Sequence, residues 1–167
     1  LWEQLARYPT TLLIYSLGIA AVEAENWDLL YDVLIGTNAD PNSSNPKPMI
    51  MFAHPYFVGA ELSSRESTQF MYNRLEKALR SPLKELITDD RQYSETFEEL
   101  EMLSDMVVVD RFETVRGREI RYPRSRYWEL RLGEKIEAQG EDWGPLHAGF
   151  FGGELDRVET VIERYRH

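Results

Sequence analysis

Residues 94–110 read SETFEELEMLSDMVVVD, and this stretch decides the fold class. Its apolar residues recur at steps of three and four, which is the spacing of one face of an α-helix. They are Phe97, Leu100, Leu103 and Val107. Ser94 is a suitable N-cap, and Glu95 and Glu98 lie in the first turn, where the helix dipole favours acids. The pattern predicts a helix that begins after Ser94 and ends near Asp110.

Two further helical patterns precede this stretch. Thr11–Glu25 and Trp27–Ile35 predict two helices joined at Asn26, with Gly36 as the C-cap. They form a helical hairpin over residues 1–36, and Pro9 suits the first turn of its first helix. Four residues of this hairpin have the spacing of one tetratricopeptide unit, in which a small residue lets two helices pack closely. These residues, which we call the tetratricopeptide-like frame, are Leu17, Gly18, Leu30 and Leu34. The chain contains no second copy of the frame.

The remaining segments complete a mainly α-helical bundle. Residues 37–62 are loop-rich, and within them the apolar run 49–58 is either a short strand or a buried loop. Residues 63–110 are helical: Ser63 and Glu66 fit a capping box, and Leu83, Leu86 and Ile87 predict a second short helix after Pro82. Residues 154–167 predict an amphipathic C-terminal helix, and a small β-hairpin fits residues 112–122. We expect one helical domain over residues 1–167 that is part of a longer chain.

Charge is distributed unevenly along the chain. The whole chain carries a formal net charge of −10, which is unlike a general nucleic-acid binder. Residues 111–135 are nevertheless basic, almost entirely through arginine, with interleaved aromatic residues. Arginine binds phosphate or carboxylate groups bidentately, and aromatic rings stack on bases. The candidate residues for binding nucleic acid or an acidic partner are Arg116, Arg118, Arg121, Arg124, Arg126, Tyr127 and Trp128. Under the alternative hypothesis, the arginines pair with the chain's own acids, especially those of residues 95–110.

Catalytic and metal-binding classes find little support in the residues. The chain has no cysteine, which excludes disulfides, thiol nucleophiles and cysteine-ligated metal. His54 and His147 lack a nucleophile and an orienting acid at a recognisable spacing, so both are interpreted as hydrogen-bonded structural histidines. The acids Glu98, Glu99, Glu101 and Asp105 are interpreted as a solvated helix face. We expect no catalytic residue, no metal and no cofactor.

Two other features are assigned structural or topological roles. The glycine-rich stretch 149–153 lacks a following Lys-Ser/Thr, and it is interpreted as a tight turn that packs Phe150 and Phe151 into the core. The apolar run from Leu12 to Val22 is too short and too mixed to span a bilayer. With no recognisable signal peptide, we expect a cytoplasmic protein that does not bind membranes.

Three stretches together carry a resemblance. They are RYPTTLLIYSLGIAA at 7–21, YSETFEELEML at 93–103 and WGPLHAGFFGG at 143–153. Their order resembles an uncharacterised helical C-terminal region of large bacterial proteins, which follows a sirtuin-like or P-loop NTPase part, often in antiviral defence. The segment 122–128 also resembles the basic and aromatic stretch of that family. The resemblance implies an accessory module without catalytic residues of its own.

The sequence therefore predicts a non-catalytic interaction or sensing module of a larger bacterial protein. Its partners would be other domains of the parent chain or a separate protein. Segment 1–35 is unusually apolar for an edge hairpin, so its free face would dock on the parent chain or on a second copy. The alternative is nucleic-acid or nucleotide recognition through segment 111–131, and an enzyme using His54 or the acids of 94–110 ranks last.

Overall fold

The computed structural model describes residues 2–36, 48–55, 58, 65–111 and 126–166, and these residues are mainly α-helical. The helices are α1 (Trp2–Glu23), α2 (Trp27–Tyr31), α3 (Ile50–Ala53), α4 (Arg65–Arg80), α5 (Asp90–Arg111), α6 (Arg126–Gln139), α7 (Gly144–His147) and α8 (Leu155–Arg166). A π-helical turn, Asp32–Gly36, continues α2, and 3₁₀ turns at Gly140–Asp142 and Phe150–Gly153 flank α7. The predicted helical class, hairpin and C-terminal helix are confirmed. The predicted capping box at Ser63 and the β-hairpin at 112–122 lie outside the described residues.

Helix α5 forms the centre of the bundle. Every residue from Met102 to Val109 is buried, and α5 packs against α1, α3, α4, α6 and α8. A helix with one apolar stripe suits a surface, whereas burial on all sides requires neighbours all round. The second half of α5 is therefore surrounded by its neighbours rather than resting on them with one face.

Gly18 sets the close approach between α1 and α5. A Cβ atom at this position would lie 2.7 Å from Cδ1 of Leu100, which is fully buried. The glycine of the tetratricopeptide-like frame thus does let two helices pack closely, but the second helix is α5 rather than α2. Leu30 and Leu34 of the same frame are both fully buried.

The first hairpin differs from expectation at Pro9. Asn26 separates α1 from α2 as predicted, and its Oδ1 accepts a hydrogen bond from the backbone N–H of Leu29 at 3.1 Å. Pro9, however, lies inside α1 and not in its first turn, so that prediction is wrong. The proline removes one backbone hydrogen bond, yet its fixed φ is itself helical, and α1 continues through it.

The connection between α4 and α5 is a series of turns, so the predicted short helix at Leu83–Ile87 is wrong. The Arg80 guanidinium group donates to the carbonyl oxygens of Ile87 at 2.7 Å and Thr88 at 3.2 Å. It also lies 4.8 Å from the ring centroid of Tyr93. These contacts hold the end of α4 and the start of α5 together without a helix between them.

Helix α5 begins at Asp90, earlier than predicted. The side chain of Asp89 accepts a hydrogen bond from the backbone N–H of Gln92 at 2.7 Å, which is the contact of an N-cap. The prediction of Ser94 as the cap is wrong because an equally good capping residue lies one turn upstream.

Residues 49–55, the continuous described part of the apolar run 49–58, adopt neither of the two expected structures. Ile50–Ala53 forms the short helix α3, with both of these residues fully buried. His54 follows in an extended conformation and is also fully buried. The segment therefore carries a polar ring directly into the core.

The glycine-rich stretch 149–153 packs as predicted. Phe150 and Phe151 are both buried, and the Phe151 ring stacks on Trp143 with centroids 6.2 Å apart. The chain reverses through left-handed backbone at Gly149 (φ 92°) and Phe151 (φ 54°). The glycines therefore serve a turn before α8.

Candidate functional site

A buried polar cluster lies at the centre of the molecule. It consists of His54 after α3, Tyr72 on α4 and Asp105 on α5. His54 Nε2 lies 2.7 Å from Asp105 Oδ1, and Tyr72 Oη donates to the same Oδ1 at 2.9 Å. Tyr72 Oη also lies 3.2 Å from His54 Nε2, so the three polar atoms form a closed triangle. All three side chains are buried.

The positions of the protons follow from this triangle. The Tyr72 proton is directed to Asp105, so the Tyr72 oxygen is free only to accept. When Asp105 is ionised it is an acceptor only, and His54 must then carry its proton on Nε2. That N–H is shared between Asp105 and Tyr72. The cluster thus satisfies a buried carboxylate with two donors from two other elements, as a buried charge requires.

Three more polar side chains surround this triangle. The Tyr15 hydroxyl group of α1 lies close to Tyr72 and to Ser104. Within the described residues, however, Tyr15 Oη, Ser104 Oγ and Glu101 Oε1 are buried without a hydrogen bond of standard geometry. The polar interior therefore extends from α3 to α1 across α5.

Burial sets the ionisation of these groups. Desolvation raises the pKa of Tyr72 well above its ordinary value, and the nearby Asp105 carboxylate raises it further. Desolvation likewise raises the pKa of Tyr15, with Glu101 and Asp105 adding to the effect. The pKa of Glu101 is also raised, first by desolvation and then by Asp105. Both tyrosines are therefore neutral hydrogen-bonding groups at physiological pH and not bases or nucleophiles.

The interpretation of the α5 acids as a solvated face is wrong for Asp105 and incomplete for Glu101 and Glu98. Asp105 is only 5% exposed. Burial raises the pKa of Glu98 to about 7, and the Glu76 carboxylate contributes to the shift. The reason is that neighbouring helices cover α5 along much of its length, and from Met102 to Val109 on every side. Glu99 is half-buried, with 22% of its side chain exposed, and its carboxylate pairs with Lys135 at 2.5 Å.

The two histidines have different surroundings. His54 is a buried, hydrogen-bonded residue, and this interpretation is confirmed. The same interpretation is wrong for His147, whose side chain is 66% exposed and whose Nε2 lies 3.9 Å from Asp142 Oδ1. At the exposed end of α7, solvent replaces the protein partners that a structural histidine needs.

The cluster is suited to holding elements together. It ties the segment after α3 to α4 and α5 through a charge-assisted hydrogen-bond network. The core covers all three side chains, and none of them presents an exposed polar atom to which a substrate could bind. No group of three or more potential ligands among the described residues could hold a metal ion.

A cleft of about 240 Å³ lies between the end of α1, the first half of α5 and α6. Three of its four acids are engaged by side chains of the protein. Glu23 accepts hydrogen bonds from Gln92 at 2.5 Å and from Thr96 at 3.0 Å. Lys135, which also lines the cleft, pairs with an acid of α5. The cleft is therefore a groove between helices that these side-chain contacts hold together, and we do not assign a ligand to it.

Of the basic segment 111–135, which we call the basic window, the structure describes Arg111 and the residues from Arg126 onward. Arg116, Arg118, Arg121 and Arg124 lie outside the described residues, and Arg126, Tyr127 and Trp128 form the first turn of α6, where only the backbone is described. Arg131, at the end of the window, pairs with Glu95 of α5 at 3.1 Å. Such pairing is what the alternative hypothesis of internal ion pairs predicts. Binding of nucleic acid by the window stays a prediction.

One face of α1 is exposed and apolar. It consists of residues that share one side of the helix at steps of three and four, and we call it the α1 stripe. Its members are Pro9, Leu13, Ser16, Leu17, Ala20 and Ala24. Leu13 is 58% exposed and Leu17 is 39% exposed. The backbone N–H of Ala24 bonds to the carbonyl oxygen of Ala20 at 3.1 Å, which continues the helical geometry to the end of the stripe.

All members of the stripe except Ala24, which lies between Glu23 and Glu25, belong to a segment without charge. Residues 8–22 contain no Asp, Glu, Lys or Arg, although the chain as a whole is strongly charged. The one hydroxyl group on the stripe, Ser16, donates to the carbonyl oxygen of Leu12 at 2.8 Å. Its polar capacity is thus satisfied within the helix. The sequence-based expectation of an apolar free face on segment 1–35 corresponds to this surface.

Comparison with protein-family models, with curated proteins and with solved structures finds no match to this chain. Among the described helices, none has both the length and the apolar character needed to cross a membrane.

Proposed function

We propose that this chain is a non-catalytic helical module whose function is to dock a protein partner through the α1 stripe. The observation that carries the proposal is the exposure of Leu13 and Leu17 on an uncharged helix face. Contiguous exposed apolar surface on an otherwise charged molecule is typical of an interaction site. We further propose that the module serves a larger bacterial protein of the antiviral-defence type. The resemblance noted for residues 7–21, 93–103 and 143–153 supports this part of the proposal.

The buried cluster supports the non-catalytic part of the proposal. A catalytic group must reach its substrate within hydrogen-bonding distance. His54 is 0% exposed, and its Nε2 is occupied by Asp105 and Tyr72. The arrangement is suited to fixing the core that presents α1.

A photo-crosslinking experiment tests the docking role. A benzophenone amino acid would replace Leu13 in the full-length protein in its native cells, and a matched control would carry it at Leu86, which is 52% exposed on the α4–α5 connection. We expect discrete adducts from position 13 and none of comparable yield from position 86. Absence of adducts from position 13, or equal adducts from both positions, would refute the proposed docking role.

A further inference from the structure

We propose that the α1 stripe is self-complementary and that a second copy of this chain packs on it, with the two α1 helices antiparallel about a two-fold axis. This inference rests on the proposed function, because it names the partner for the same surface. A two-fold contact uses the same patch on both copies, so the patch must be complementary to itself.

The sizes of the side chains along the stripe meet this requirement. The larger apolar residues Pro9 and Leu13 lie toward its start, and the small residues Ala20 and Ala24 lie toward its end. A two-fold axis between positions 16 and 17 places Leu13 of one copy opposite Ala20 of the other. The same axis places Pro9 opposite Ala24 and pairs the two central positions with each other.

A parallel arrangement does not have this property. It would set Leu13 against Leu13 and Ala20 against Ala20, which crowds one end and leaves a gap at the other. Interfaces pack well when large residues face small ones. The order of sizes along α1 therefore selects the antiparallel arrangement.

Electrostatics favour the same surface. Two copies that each carry a net charge of −10 repel one another, and the repulsion is weakest where the contact itself lacks charge. Residues 8–22, which contain every member of the stripe except Ala24, provide such a contact. Ser16 already donates its hydroxyl proton to the Leu12 carbonyl oxygen, so covering the stripe does not leave that donor unsatisfied.

The length of the stripe limits the affinity. From position 9 to position 24 it extends about 22 Å at the helical rise of about 1.5 Å per residue. One helix pair of this length buries less than the roughly 800 Å² per partner of a standard interface. We therefore expect a weak dimer that dissociates reversibly on dilution.

Sedimentation equilibrium of the purified chain, over a wide series of concentrations, is the first test. We expect Leu13→Asp to abolish dimerisation, because it places a charge within an apolar contact. Leu86→Asp, the same change at an exposed leucine outside the stripe, is expected to leave the dissociation constant unchanged. Circular dichroism would verify that both variants retain the helical content of the wild-type chain.

A size-swap experiment tests the register. Ala20→Leu sets two bulky residues against each other, and Leu13→Ala sets two small ones against each other, so we expect each to weaken the dimer about tenfold, which corresponds to about 1.4 kcal/mol. The double variant Leu13→Ala/Ala20→Leu restores a large residue opposite a small one. We expect its dissociation constant to return to within about threefold of the wild-type value.

The outcomes separate this inference from the proposed function. A chain that stays monomeric while the crosslinker at position 13 captures a different protein overturns self-association and leaves the docking role standing. A monomer with no adducts overturns both. A dimer that is lost in Leu86→Asp, or a double variant as weak as the single ones, overturns the antiparallel packing of α1.

Discussion

Replacing Asp105 tests whether the buried cluster is a structural element. In Asp105→Ala, His54 and Tyr72 lose the acceptor that they contact at 2.7 and 2.9 Å, and both remain buried. Leaving a buried donor without its acceptor costs about 1–3 kcal/mol, and Asp105→Ala leaves two such donors. Asp105→Asn keeps an acceptor oxygen but makes the hydrogen bonds neutral, so we expect a loss of about 1–2 kcal/mol. Tyr72→Phe removes a single hydrogen bond and is expected to cost about 1 kcal/mol.

Urea unfolding monitored by circular dichroism measures these losses as a fall in midpoint at constant slope. Asp90→Ala in the same helix is the matched control, because that carboxylate is 90% exposed and its pair with Arg80 is worth at most about 1 kcal/mol. If Asp105→Ala does not fold, the ranking of the two milder variants still tests the reasoning. A loss below about 1 kcal/mol in Asp105→Ala would refute the structural role and revive the enzyme hypothesis for His54.

Three further predictions concern single positions. We expect Gly18→Ala to destabilise the fold, because its new Cβ would meet the buried Leu100. The control Gly133→Ala in α6 meets no atom within 4 Å and should stabilise the fold by about 1 kcal/mol, a rise of about 2–4 °C in Tm. A stabilising Gly18→Ala would contradict the close contact. Glu98, whose pKa is raised to about 7, keeps its proton in the folded chain longer than in the unfolded one, so stability should fall as the pH rises from about 4.5 through 7. Glu98→Gln should therefore raise Tm at pH 8 and leave it unchanged at pH 4, and equal Tm changes at both would refute this. Asn26→Ala should lower the unfolding free energy by about 1 kcal/mol through loss of the α2 cap, and an unchanged urea midpoint would argue against it.

The helices could be predicted from the sequence because their signals are local. The spacing of Phe97, Leu100 and Leu103 identified α5, and Asn26 identified the break between α1 and α2. The start of α5 was misplaced because Asp89 and Ser94 have equal capping chemistry. Only the packing of the preceding turns, fixed by the α4 terminus, decides between such alternatives.

The buried cluster could not be predicted because its contacts are not local. His54 and Asp105 are 51 residues apart, and Tyr72 carries no motif. One signal was present: Glu101 and Asp105 follow Phe97 at steps of four, on the side of the helix that carries the core. An acid in line with a buried aromatic residue indicates a buried acid in need of a partner.

The free face of α1 could be predicted from the sequence, because its signal is local. A charge-free segment of 8–22 in a chain of net charge −10 is visible in composition alone. Which of its residues remain exposed is a tertiary property, however. It depends on Gly18 and its neighbours turning toward α5, which leaves Leu13 and Leu17 on the outer side.

The dependence on salt separates the two partner hypotheses by sign. Self-association of a chain with net charge −10 through an uncharged stripe is opposed by long-range repulsion, and added salt screens that repulsion. The dimer should therefore strengthen as sodium chloride is raised. Binding of nucleic acid by the basic window would weaken steeply over the same range of salt concentration, because each phosphate contact releases counterions. Arg131, already paired with Glu95, would contribute little to such a slope. A dimer that weakens with salt would indicate that opposite charges hold it, and the α1 stripe would then not be its interface.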